Sequence, residues 1–171
     1  KKVENLVKNY INRLYNRNIK NAAVLVIDNK QNSVVAYVGS ADFNNTEDAG
    51  QVDGVLAIRS PGSTLKPLVY GMAFDKGIIT PKYRISDVPV SYSGYEPHNY
   101  DEKYHGFVTT EFALINSLNI VAVKLLQQIS THQFVKTLKK LDFNQIRKDE
   151  KKLGLSIVLG GCGVNLEQLT K

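Results

Sequence analysis

Ser63 and Lys66 stand three residues apart in the stretch RSPGSTLKPLVYGMAFDKG, residues 59–77, at what reads as the start of a helix. Residues i and i+3 share a helix face, so the Ser63 hydroxyl and the Lys66 amine can meet. A serine hydroxyl is a poor nucleophile until a neighbouring base takes its proton, and a lysine serves once burial or a nearby cation lowers its pKa. A helix N-terminus adds backbone N–H groups and a partial positive charge, suited to a developing oxyanion. The alternative is an ordinary helix start that happens to hold both residue types.

Counting does not separate the two. With 10 serines and 17 lysines in 171 residues, about one Ser-x-x-Lys arises by chance, and about one Ser-x-Asn by the same arithmetic. The single Ser-x-Asn is Ser117-Leu118-Asn119, and position gives it weight. On a continuous helix, residues i and i+2 point about 200° apart and cannot face one site. Ser117 falls where one helical pattern ends, and Asn119 where the next begins, as an N-cap. A break there turns both side chains to one side, whereas plain capping by Asn119 is compatible with either reading.

The surrounding patterns say what positions these residues. In residues 3–19, Leu6, Val7, Tyr10, Ile11, Leu14 and Tyr15 recur at helical spacing and predict an amphipathic helix. Residues 22–28 and 33–39 are rich in β-branched types around a four-residue polar turn, and predict an antiparallel hairpin under that helix. Residues 40–58 read as a loop. After Pro67 the helix runs on to Gly77, placed as its C-terminal cap. Residues 79–106, with three prolines and five tyrosines, show no period and predict a long loop contributing to a cleft. Thr109 opens a helix, a second follows from Asn119, a third from Thr131, and Asn165 with Gln168 forms a capping box.

Composition narrows the classes. The chain is 43% hydrophobic and carries net charge +6, enough for a folded core. Its basic residues concentrate only in 136–152, which reads as a solvated helix face rather than a nucleic-acid site. One cysteine, Cys162, excludes an internal disulfide framework and a Cys-rich metal site. His98, Asp101 and His105 match no standard zinc spacing, so neither a metal nor any other cofactor is expected. The tyrosines of 79–106 remain unassigned between packing and ligand stacking. No run reaches the roughly 18 apolar residues of a membrane span. The opening KKVEN without Met, and a last helix barely one turn long, lead us to expect a piece of a longer protein.

Three segments carry a family resemblance: RSPGSTLKP, then GYEPHNYDEKYHGFVTTEFALINSLNIVAVKLLQQ, then LGLSIVLGG. Together they resemble the transpeptidase domain of class A penicillin-binding proteins, in particular the penicillin-binding protein 1C branch. Specificity lies in the order Ser-x-x-Lys, Tyr-x-Pro-x-Asn at Tyr95 to Asn99, and Ala-Leu-x-x-Ser-x-Asn from Ala113 to Asn119. The family's third motif, Lys-Thr-Gly, is missing: Lys136-Thr137 is followed by Leu138 within a helical pattern.

The resemblance implies an α+β fold, an incomplete three-layer α/β/α sandwich of the serine β-lactamase and D,D-transpeptidase type with an antiparallel sheet. Residues 1–171 would form the N-terminal portion of that domain, with helix and hairpin in 1–39 and the active-site part in 59–130. It further implies Ser63 as the acylated nucleophile, Lys66 as its base, Ser117 as a proton relay and Asn119 as a partner of Lys66 and the substrate amide. The implied partners are peptidoglycan stem peptides ending in D-Ala-D-Ala and β-lactams. The parent would be bifunctional with a glycosyltransferase domain, anchored through parts not present here, and located on the extracytoplasmic side of the bacterial inner membrane. Without the Lys-Thr-Gly strand, the piece alone is expected to be inactive. Competing classes are a serine β-lactamase and a non-catalytic penicillin-sensing domain.

Overall fold

The computed structural model describes residues 1–171 and divides into two compact units, Lys1–Arg59 with Val164–Lys171, and Ser60–Gly163.

In the first unit, helix α1, Lys2–Leu14, lays Val7 and Ile11 against Val38. The sequence stripe is wider than the buried one: Leu6, Tyr10 and Tyr15 stay exposed. The helix also ends before the predicted limit at residue 19, tightening into a 3-10 turn, Tyr15–Arg17, closed by Asn18 in the left-handed region, which asparagine tolerates better than most residues. Strands β1, Val24–Asp28, and β2, Ser33–Val38, pair antiparallel from Val24 opposite Val38 to Asp28 opposite Ser33. The Asp28 carboxylate accepts the Lys30 and Gln31 amides and shapes the turn. The last helix of the chain begins with the predicted capping box: Asn165 accepts the Gln168 amide and the Gln168 side chain returns to the Asn165 amide.

The second unit centres on two helices. Helix α2, Lys66–Asp75, follows directly from a 3-10 turn, Gly62–Leu65. It ends in the left-handed Gly77, whose amide bonds Phe74 while Ile78 bonds Ala73, the pattern that satisfies the last carbonyls of a helix. Residues 84–87 and 106–109 correct the expectation of a structureless 79–106. Strand β3, Arg84–Asp87, pairs antiparallel with β4, Gly106–Thr109, within that region and its border. Only four residues long each, these strands give too short an alternation to register as a period.

Helix α3, Thr110–Ile115, starts at Thr109, whose hydroxyl accepts the Phe112 amide as predicted. Helix α4, Asn119–Ile129, buries Ile120 through Val123, Leu125, Leu126 and Ile129. A helix apolar nearly all round is a core helix. Its neighbours are α2, through buried Val69, Tyr70 and Ala73, and the 3-10 turn Leu155–Leu159, through Ile157 and Val158. Helix α5, Thr131–Lys140, is capped by the Ser130 hydroxyl, and α6, Asn144–Asp149, follows it. α7, Leu166–Thr170, is the helix of the capping box.

Candidate active site

The turn that carries Ser63 is set by backbone geometry on both sides. Gly62 has φ +56. Gly160, at φ +94, comes so close that a Cβ there would lie 2.6 Å from the Gly62 nitrogen and 2.5 Å from the Ser60 hydroxyl. Gly160, the first of the two glycines that close LGLSIVLGG, thus supports the serine turn by absence of a side chain. The Lys66 amide bonds the Ser63 carbonyl across this 3-10 turn, which sets the two residues one turn apart on a shared face, while the Lys66 amine bonds Ser117 and Asn119 and not the Ser63 hydroxyl.

Three hydroxyls lie in residues 60–64, and two are occupied. Ser60 donates to the Gly160 carbonyl at 2.8 Å and Thr64 to the Pro61 carbonyl at 2.8 Å. Ser63 is exposed, and neither the flanking hydroxyls nor the Lys66 amine bonds its hydroxyl.

Lys66 is only 2% exposed. Its Nζ donates to the Ser117 carbonyl at 2.6 Å, to Ser117 Oγ at 3.0 Å and to Asn119 Oδ1 at 2.6 Å. Burial pushes the amine down to about 8, against the opposing effect of three oxygens that favour the ammonium. The structure therefore brings Lys66, Ser117 and Asn119 together, and places Ser63 one 3-10 turn before the lysine.

The break between α3 and α4 makes this possible. The Ser117 amide bonds Leu114 and the Leu118 amide bonds Ala113, a helix end of the type usually closed by glycine. Here the left-handed position is Ser117, at φ +53. A non-glycine residue in that region costs about 1 kcal/mol or more, a cost that recurs at functional sites. Ser117→Gly is therefore expected to raise unfolding stability by about 1 kcal/mol while removing the hydroxyl at Lys66. Urea unfolding checks it; an unchanged or lower stability would count against strain at this position.

Asn119 differs from its expected place. It is the first residue of α4, not the cap, and Leu118 precedes it in extended conformation with no side-chain cap bond. The Asn119 side chain spans the Lys66 amine and the His98 carbonyl, to which Nδ2 donates at 2.8 Å. The orphan amides of α4 are met instead by Asn99, whose Oδ1 lies 2.8 Å from the Asn119 nitrogen and 3.4 Å from that of Ile120. Capping from 20 residues away carries no local spacing signal, and only the Tyr-x-Pro-x-Asn segment marked the residue. That segment leaves a tight turn in which Tyr92 and Tyr95 exchange backbone hydrogen bonds across Ser93 and Gly94, both at positive φ. His98 and His105 have separate roles: His98 Nδ1 lies 3.2 Å from the Tyr104 hydroxyl, and His105 packs on Asp87.

The α+β fold and its buried lysine, held by a serine and an asparagine at a helix break, define a serine–lysine domain of the kind the motifs describe. The family model described as penicillin binding protein transpeptidase domain matches residues 22–158, and the chain belongs to that family. It is 37% identical over 169 residues to penicillin-binding protein 1C of Escherichia coli strain K12, covering 99% of this chain and 22% of the relative. Among solved structures, penicillin-binding protein 1A from Haemophilus influenzae matches with TM-score 0.72 at 22% identity, over 87% of this chain and 22% of that one. PonA1 from Mycobacterium tuberculosis, solved in complex with penicillin V, matches with TM-score 0.71 at 22% identity, over 85% and 40%. The fold is thus that of penicillin-binding transpeptidase domains. The chain spans about a fifth of the length of the curated relatives it matches.

Proposed function

We propose that this chain supplies the serine–lysine half of a peptidoglycan D,D-transpeptidase acting through a serine acyl-enzyme. The carrying observation is the buried Lys66 amine, within hydrogen-bond reach of Ser117 Oγ and Asn119 Oδ1, one turn after the exposed Ser63. In its neutral form the amine keeps two N–H bonds, to the Ser117 carbonyl and Asn119 Oδ1, and offers its lone pair to a hydroxyl. Ser63 Oγ attacks the penultimate D-Ala carbonyl of a stem peptide as its proton passes to Lys66. The tetrahedral intermediate collapses, the C–N bond breaks, and the proton returns through Ser117 Oγ to the departing D-Ala amine. A second strand's amine then attacks the ester and releases Ser63, leaving a cross-link.

The coverage of the relatives fits a longer protein that also holds a Lys-Thr-Gly strand, a glycosyltransferase domain and a membrane anchor, working on the extracytoplasmic side of the bacterial membrane. The same cluster accepts a β-lactam as a mimic of D-Ala-D-Ala, in keeping with the penicillin V complex of PonA1. In the full-length protein, incubation with a stem pentapeptide and an acceptor amine is expected to release D-Ala and form the cross-linked product. Penicillin is expected to leave a stable adduct on the Ser63 peptide by mass spectrometry. Rapid turnover of penicillin without an adduct would overturn the transpeptidase reading in favour of a lactamase, and no adduct and no release of D-Ala would overturn both.

A further inference from the structure

Asp87, the last residue of β3, is 0% exposed yet lies outside the Ser63, Lys66, Ser117 and Asn119 cluster. Both of its carboxylate oxygens stand 2.9 Å from Asn99 Nδ2, and one also accepts the His105 amide at 3.0 Å and faces His105 Nδ1 at 2.8 Å. Its charge is felt by the Tyr70 hydroxyl on α2 and by Lys124 on α4. A carboxylate this enclosed, and held by so many donors, has a job in the fold beyond solubility.

From this arrangement we infer that Asp87 is a positioning residue for the acylation chemistry, acting through Asn99 to fix the orientation of Asn119 at Lys66. The inference rests on the serine–lysine reading above. An ionised carboxylate only accepts hydrogen bonds, whereas an amide side chain presents an acceptor on one side and donors on the other. Asp87 and the Lys103 carbonyl, 2.8 Å from Asn99 Nδ2, are both acceptors, so they select the Asn99 rotamer whose Oδ1 faces α4. That oxygen holds the first amides of the helix, and the adjoining His98 carbonyl takes Asn119 Nδ2. With its donor end occupied, Asn119 turns its acceptor end to Lys66. The buried carboxylate thus orients the Asn99 amide, and Asn99 holds Asn119 through its backbone N–H, placing the Asn119 side chain between His98 and Lys66.

Asp87→Asn keeps the shape and reverses one polarity. It leaves one oxygen to accept from Asn99 Nδ2 and sets an amide NH2 against the other contact, which pushes the Asn99 side chain from its place and its Oδ1 from the α4 amides. The expected result in the full-length protein is a fall in the rate of penicillin acylation of about 10²-fold, the scale of a displaced reacting group. The pH–rate profile separates this from loosened packing. Losing the Asn119 acceptor disfavours the Lys66 ammonium and moves the acid limb to lower pH. Simple loosening admits water and moves it up, towards the ordinary lysine range. The titratable groups in this surround are Tyr70, His105 and Lys124, and each is retained in the variant.

Asn99→Ala, which removes the capping oxygen and leaves Asp87 with His105, carries the same test should Asp87→Asn not fold; its acylation is expected to fall about 10-fold, with the same direction of the limb. Wild-type rate and limb in a folded variant, or a limb moved upward, would overturn the inference. Failure of the underlying reading has a different signature, wild-type acylation of Ser63→Ala, which leaves the role of Asp87 without a reaction to serve.

Discussion

In the full-length protein, Ser63→Ala abolishes covalent labelling by a fluorescent penicillin, with the acylation rate falling by about 10⁴-fold or more, the scale set by removal of an enzymic serine nucleophile. The expectation rests on which hydroxyl is free. Ser60 and Thr64 lie within three residues of Ser63, but each already donates to a backbone carbonyl, and moving either to an acyl centre would first break that bond. Ser63 has no such bond to break and stands one 3-10 turn before Lys66, whose amide bonds its carbonyl. Thr64→Ala therefore serves as the matched control and retains labelling. Ser63→Ala leaves the Lys66 contacts intact, since none of the three involves Ser63, so the loss is one of reaction and not of folding. Labelling of Ser63→Ala at the wild-type rate, or loss in Thr64→Ala alone, would remove Ser63 from its assigned role.

How much of this was legible in the sequence depended on the range of the interaction. The β1–β2 hairpin, the Thr109 cap and the Asn165–Gln168 box are local, and their spacing predicted them, whereas the periodicity of α1 marked the helix but overstated its buried face, which is Val7 and Ile11. The break at Ser117 was legible because two helical patterns met there. The fact that a serine occupies a left-handed helix end, where glycine is usual, was not, since nothing in residue type announces positive φ. The β3–β4 pair and the Asp87–Asn99–Asn119 series escaped for another reason. Arg84 meets Thr109 and Asn99 meets Asn119 across 20 or more residues, and no window of local spacing spans such contacts. Assigning the N-cap to Asn119 followed propensity, but the side chain was already committed to Lys66 and His98, and a remote asparagine took the capping role.

Lys66→Met is expected to lose acylation as completely as Ser63→Ala, and yet to raise the stability of the fold below pH 8. The sign follows from linkage. Burial holds the folded amine at about 8, against 10.5 for a free lysine side chain. Below pH 8 both states are protonated and the full cost of burying the ammonium is present, about 3 kcal/mol at roughly 1.4 kcal/mol per pH unit. Between 8 and 10.5 the unfolded chain binds the proton that the folded chain has released, so wild-type stability rises with pH and the cost is relieved. Methionine fills a similar volume without the charge. It forfeits the bond to half-buried Asn119 Oδ1, a loss of about 1 kcal/mol, while the Ser117 oxygens lie at an exposed residue and return to water. The expected net gain is about 1–2 kcal/mol at pH 7, shrinking to nothing or reversing by pH 10. Denaturant unfolding of both proteins across pH 6–10 measures it. In wild type, the acylation rate should climb with pH and level off above about 8, as the base form of Lys66 fills. A stability difference that is flat with pH, or a rate that falls through this range, would show that the Lys66 amine is not held near neutrality by burial, and Ser63 would need another base.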